Sequence, residues 1–215
     1  MTQRMTVVAV LLAITAVPAA AQESAVRFPF GTPVVILPVQ SVEPSPDGAW
    51  PAHAATGEQA LRAMDAELEF ALADRRGAEN WALPSALRRR VDRNPIVDVN
   101  PDRLAYQGLI ERPEARDQIY EPLHGELRTL AALFGTRFLM LPLRLRLATA
   151  QAAEDAAGSC RDNADRLRAE LLIVLIDIRR SAVMWHGSVP GGAGCPESGA
   201  LLASLAAVVA REIAE

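Results

Sequence analysis

"LLIVLIDIRRSAVMWHGSVPG", residues 171–191, begins with six apolar residues, Leu171 to Ile176, and then meets Asp177 and the pair Arg179 and Arg180. An apolar run of this length, rich in branched side chains and ended by a charged reversal, reads as a strand buried on both faces that turns back as a hairpin. With Arg180 and Ser181 at the tip, Ile176 faces Trp185 and Ile178 faces Val183. Leu172, Val174, Ile176 and Ile178 then share a face with Val183, Trp185, Gly187 and Val189, so that Ile176 and Trp185 form the hairpin core. The opposite face carries Leu171, Ile173, Leu175 and Asp177. A two-stranded ribbon is at best marginal in water, so helices must cover it.

Those helices lie on both sides of the hairpin in the chain. "TPVVILPVQ" (32–40) is a proline-bounded, β-branched run and predicts a buried strand from Val34 to Val39. After a proline-rich loop, Thr56 and Gln59 have the spacing of a capping box. Leu61, Met64, Leu68, Ala71 and Leu72 then follow on one helical face, with Gly77 at the position of a left-handed cap. A short strand over 80–83 precedes "PSALRRRVDRNP" and "PDRLAYQGLIERP", two short helices between prolines.

In "DQIYEPLHGELRTLAALF" (117–134), Ile119, Leu123, Leu127, Leu130 and Phe134 recur at helical spacing, and Gly135 ends the helix. From Leu141 apolar residues alternate with Pro142, Arg144 and Arg146. This predicts a strand buried on both faces at first and wet on one face later, with Pro142 marking an edge or a bulge. Residues 150–166 form a long hairpin connection. Leu201, Leu202, Leu205, Val208, Val209 and Ile213 stripe a last helix.

The order β-α-β-α-β-β-β-α predicts an α/β fold. Its mixed sheet of about five strands is flanked by helices and ends in an antiparallel meander and a C-terminal helix.

Compartment is written at the start of the chain. Residues 1–21 have Arg4, an apolar stretch from Val7 to Val17 and small residues at Ala19 and Ala21, the parts of a cleavable export signal. Residues 22–31 read as a linker and 32–215 as one α/β sandwich domain with an irregular helical insertion at 84–116. The mature chain would keep 21 arginines against 26 acidic groups, a net charge of −5 that points away from nucleic acid. No later segment has the length and apolarity of a membrane span. The sequence contains no lysine, which excludes Schiff-base chemistry and the P-loop.

Three stretches, "VVILPV", "AALFGTRFLMLPLRL" and "LLIVLIDIRRSAVMWHGSV", stand in an order that resembles the periplasmic family of the TolB amino-terminal domain, the curli secretion protein CsgG and the lipoprotein activator LpoB. The third stands in place of a "vdvrtGevvWsg"-like hairpin. The likeness runs from about residue 32 to residue 213. The chain departs from it in Arg180-Ser181-Ala182, where the family turn holds glycine, in having no lipid-attachment cysteine, and in the stretch at 84–116. The resemblance implies a non-catalytic envelope domain that contacts other proteins, sometimes as an oligomer.

Candidate chemistry is sparse. Cys160 and Cys195 are the two cysteines, and in hairpin numbering both lie near the open end of the same strand pair. A disulfide closing this loop would add roughly 3–4 kcal/mol, with unpaired thiols and a catalytic cysteine as the alternatives. His53, His124 and His186 lack metal-ligand spacing, so neither metal nor cofactor is expected. "PGGAGCPESG" (190–199) could hold an anion but has no phosphate-binding motif. Asp65, Glu67 and Glu69 read as a solvated helix face, and "ALRRRVDR" as a solvent-facing turn. Ser159, Ser181 and Ser188 have no nucleophile-elbow context. The expectation is a non-catalytic exported, periplasmic module for interaction or assembly, with envelope proteins or further copies of itself as partners. The alternatives are a small exported hydrolase or metal-dependent enzyme with a spatially assembled site, and a small-ligand domain at the glycine-rich turn.

Overall fold

The computed structural model describes residues 31–43, 57–111, 118–149, 167–194 and 199–214. In chain order the elements are β1 (Val34–Ile36), β2 (Ser41–Glu43), α1 (Gly57–Ala73), α2 (Pro84–Asp92), α3 (Gln107–Glu111), α4 (Leu123–Phe134), β3 (Phe138–Thr149), β4 (Leu167–Asp177), β5 (Ala182–Gly194) and α5 (Ala200–Ala214). The five strands form one mixed sheet in the order β1-β3-β4-β5, with β2 also pairing β3. β1 and β2 run parallel to β3, whereas β3, β4 and β5 form an antiparallel meander followed by α5. This is the architecture expected from the order of elements.

Each face of the sheet has its own apolar layer. Met64, Leu68 and Leu72 of α1 and Leu205, Val209 and Ile213 of α5 pack on Val34, Ile36, Met140, Leu171, Ile173 and Val189. On the other face, Leu87 of α2 and Leu123, Leu127 and Leu130 of α4 pack on Val35, Leu37, Leu139, Leu141, Val174 and Ile176. The unbroken apolar run of β4 is therefore explained: successive side chains point into two different cores.

Several expectations need adjusting. The strand expected to reach Val39 is split, with Leu37 to Gln40 joining β1 to β2. The strand over 80–83 shrinks to one parallel bridge, Ala82 to Val35, because Pro84 at once begins α2. Gly77 is not a left-handed cap. α1 ends at Ala73, Gly77 lies in a 3₁₀ turn, and among the described residues the glycines at positive φ are Gly31 and Gly135. Gly135 does cap α4, at φ 61°, with its N–H donating to Ala131 and Ala132 carbonyls. α4 begins at Leu123, with 118–122 outside it, because Pro122 lacks the N–H that an interior helical position supplies.

Pro142 marks a bulge, not an edge: the β3–β4 register slips between Pro142 and Arg144, leaving Leu143 as the extra residue in an inner strand. The capping box at Thr56, the connection over 150–166 and Cys160 and Cys195 lie outside the described residues.

Candidate functional site

The β4–β5 hairpin differs from its expected register by one step. Leu175 pairs with Trp185 and Ile176 with Val183, so Met184 bulges out of the ladder. Ile176 and Trp185 consequently lie on opposite faces. Ile176 is fully buried beside Val174, whereas Trp185 packs partly buried against the layer of α1 and α5. The difference is physical: side chains alternate with period two, so a single bulged residue inverts every face assignment beyond it. A second slip sets Gly191 and Gly192 opposite the single residue Ala169.

Beyond the reach of α4 the sheet is wet. Pairing aligns Glu43, Arg146, Glu170 and Pro190 across four strands, and Ser41, Arg144, Leu172 and Ser188 in the next row. Arg144 donates across the sheet to Glu43 at 3.2 Å, and the Ser188 hydroxyl donates to Glu170. Arg146, Ser188 and Pro190 are exposed, and the bulged Met184 is 49% exposed. β5 has β4 as its one neighbour among the described strands and carries no charged residue. Among the described residues its outer edge thus offers unpaired backbone groups.

The hairpin tip gathers polar side chains from three parts of the chain. Asp177, fully buried, accepts from Arg137 Nε at 2.8 Å and again from its terminal nitrogen, and also from the Arg179 N–H at 3.1 Å. The Arg137 hydrogen bonds hold the Asp177 carboxyl below the ordinary range. Ser181 sits at φ 53°, a conformation uncommon for a non-glycine residue, and its carbonyl accepts the Ile119 N–H at 2.7 Å. Its hydroxyl lies 2.8 Å from His124 Nε2, while His124 Nδ1 lies 3.2 Å from Glu121 Oε1. The other oxygen of Glu121 accepts the Gly125 N–H at 2.9 Å. That backbone bond, with the bond to His124, lowers the Glu121 pKa.

A buried charge cluster lies elsewhere. Asp65 is not part of a solvated face: it is 2% exposed, takes the Val39 N–H at 2.9 Å and pairs with Arg88. Burial lifts its carboxyl to about 6, against the pull of Val39 and Arg88. Arg88 also binds Asp102 at 2.6 Å. Burial works against the Arg88 charge, but its bonds to Asp102 and Asp65 more than reverse this and raise its pKa. One arginine of "ALRRRVDR" is therefore a structural clamp, while Arg89 and Arg90 remain exposed. Glu69 is likewise engaged, accepting the Ser85 N–H at the start of α2. Gln40 seals the break between β1 and β2, its amide donating to the Pro38 and Pro101 carbonyls and accepting from the Leu104 N–H.

Among the described residues no group of three or more His, Cys, Asp or Glu side chains could hold a metal ion, and no helix is long and apolar enough to cross a membrane. His186, in β5, pairs with Val174 of β4, whereas His124 lies on α4; His53 and Ser159 lie outside the described residues. One open cavity of about 480 Å³ is lined by Arg88, Asp92 and the 97–102 loop. Another, of about 530 Å³, is lined by Val97 and the outer face of α4. Neither includes the glycine-rich turn. The meeting of Ser181, His124 and Glu121 has no signature in the sequence, because 57 positions separate the serine from the histidine.

No family model matches the chain, and no curated protein matches it. Solved structures similar to it include the LpoB C-terminal domain from Salmonella enterica, at 9% identity and a TM-score of 0.35, over 77% of this chain and 84% of that one. The PelC dodecamer from Paraburkholderia phytofirmans is similar at 12% identity and a TM-score of 0.38, over 89% and 96%. The lipoprotein GNA1162 from Neisseria meningitidis is similar at 16% identity and a TM-score of 0.33, over 84% and 96%.

Proposed function

We propose that this chain is an exported interaction or assembly module of the bacterial cell envelope, working chiefly by contact with other envelope proteins. The observation that carries this reading is the wet half of the sheet beyond α4, continuous with the free edge of β5. Its two arginines and two glutamates, with Leu172 and Met184 among them, have the mixed polar and apolar character of a non-obligate interface. An extended segment of a partner can add to the edge through backbone hydrogen bonds. Pro190 and the two β5 bulges confine that addition to the stretch from Trp185 to Val189. Export through residues 1–21, a single domain over 32–215 and a Cys160–Cys195 bridge belong to the same reading.

A photo-crosslinking residue at Ser188, used in intact cells, tests it. A discrete adduct with one envelope protein or with a second copy is expected, while the same residue at Phe70, 81% exposed on α1, serves as the control. Equal, diffuse crosslinking from both positions would overturn the proposal. The intact mass of the mature protein checks the rest: Gln22 should be its first residue, and reduction should add two hydrogens.

A further inference from the structure

We infer that the hairpin tip carries an acyl-transfer site in which Ser181 is the nucleophile, His124 its base and Glu121 the group that orients the base. This goes beyond the interaction reading and does not depend on it. Three features of the geometry carry it.

The first is the order of the hydrogen bonds. Glu121 is held as a carboxylate by the Gly125 N–H, so the His124 nitrogen facing it, Nδ1 at 3.2 Å, is the one that bears the proton. Nε2 is then an acceptor, and the Ser181 hydroxyl 2.8 Å away donates to it. A hydroxyl donating to an imidazole whose far nitrogen donates to a carboxylate is the arrangement that activates serine.

The second is the backbone of Ser181. Its φ of 53° is sustained by the Ile119 N–H on its carbonyl and by its own N–H, which donates to Ile178 at 3.4 Å. Non-glycine residues fixed in this region concentrate at functional sites.

The third is access. Ser181 is partly exposed, the His124 side chain is 21% exposed, and Tyr120 stands beside them 70% exposed. Arg179 and Arg180 follow the strand end and are exposed; Arg180 Nε lies 3.7 Å from the Asp177 carboxylate, so Arg179 is the cation left to flank the hydroxyl. The substrate class is therefore an acyl ester bearing negative charge, met at an open surface. Ser181 Oγ bonds to the carbonyl carbon as its proton passes to His124 Nε2. The ester C–O bond then breaks, the leaving oxygen takes that proton, and water, deprotonated by the same nitrogen, releases the acid and restores Ser181.

The test uses the purified full-length or mature chain and a fluorophosphonate probe, read by peptide mass spectrometry. An adduct on Ser181, absent from Ser188 in the same hairpin, is expected. His124→Gln, which keeps a polar side chain but no base, should slow labelling about 100-fold, in line with the loss of a general base. Glu121→Gln should slow it less and shift its pH profile. Circular dichroism confirms that each variant is folded, and the wild-type adduct stands as a readout if a variant is not. 4-Nitrophenyl succinate should be hydrolysed faster than the neutral butyrate. No Ser181 adduct, or labelling unchanged in His124→Gln, would reduce the three residues to a clamp and overturn the proposal. Equal rates for the two esters would overturn the anionic substrate class.

Discussion

The indole of Trp185 lies over Gly187, two residues along the same strand, so closely that a Cβ at 187 would stand 2.4 Å from Cζ2 and 2.7 Å from Cη2. Gly187→Ala must therefore push the ring off the strand, and Trp185, with Val189, is a side chain through which β5 meets the layer of α1 and α5. The substitution should cost about 1–3 kcal/mol, as overpacking does. Urea unfolding gives the cost, and near-ultraviolet circular dichroism reports whether the indole has moved. An unchanged spectrum would show that the ring does not rest there.

Further along β5, Gly191 and Gly192 make a matched pair. A Cβ at Gly191 would meet Leu205 Cα at 3.0 Å and the Ala169 carbonyl at 3.2 Å, both backbone atoms that cannot step aside. At Gly192 the nearest atom, Ser204 Oγ, is 3.6 Å away, an ordinary contact. Gly191→Ala should destabilise by about 1–3 kcal/mol by lifting α5. Gly192→Ala should be neutral or should stabilise by up to about 1 kcal/mol through a stiffer unfolded chain. Equal melting temperatures for the two variants would contradict this packing.

Gln40 offers a test by isosteric exchange. Its Nε2 donates at 2.7 and 2.9 Å to two carbonyls, and its Oε1 accepts at 2.9 Å, so Gln40→Glu sets an oxygen against both carbonyls without changing the shape of the side chain. A cost of about 2–4 kcal/mol is expected from the two lost bonds and a poorly solvated charge. Hydrogen exchange should quicken at Val39 and Asp102, whose amides adjoin those two carbonyls, while the Leu104 amide keeps its acceptor.

The pH dependence of stability has opposite signs at two aspartates. Burial raises Asp65 to about 6, so from about pH 4 to pH 6 the folded state holds a proton that the unfolded chain has released. The contribution, on the order of 3 kcal/mol, is complete below about pH 4 and is lost as pH rises through about 6. Asp177 is lowered by Arg137, so its contribution is present above the ordinary carboxylate range and lost as pH falls through its lowered value. Asp65→Asn keeps an acceptor for the Val39 N–H and should flatten the slope between pH 4 and 6 while leaving acid unfolding unchanged. Urea midpoints across that range decide it, and an identical slope in the variant would refute the assignment.

What the sequence made legible follows its periodicities. The two-sided burial of β4, the α1 and α5 stripes and the left-handed Gly135 are local or repeating signals, and each corresponds to a described element. β2 left no trace because three residues, Ser41 to Glu43, are too few to show alternation. The hairpin register expected from the sequence is off by one because nothing in "SAVMWHG" announces that Met184 leaves the ladder. Asp65 looked solvated because its partners are distant in sequence: the Val39 N–H and Arg88 lie 26 and 23 positions away. The Ser181, His124 and Glu121 contact was invisible for the same reason.

The bulge at Leu143 has a consequence for how this chain tolerates changes in length. Pro142 already pairs with Ile173 and Arg144 with Leu172, neighbours on β4, so Leu143 is supernumerary to the ladder. Excising it would forfeit one buried leucine and the carbonyl that receives the Ser41 hydroxyl, yet every later residue of the strand would keep its β4 partner and its side. Excision of Leu145 instead would transpose all that follows, turning arginine inward and leucine out. An indel in β3 is thus survivable at one address and ruinous two residues away.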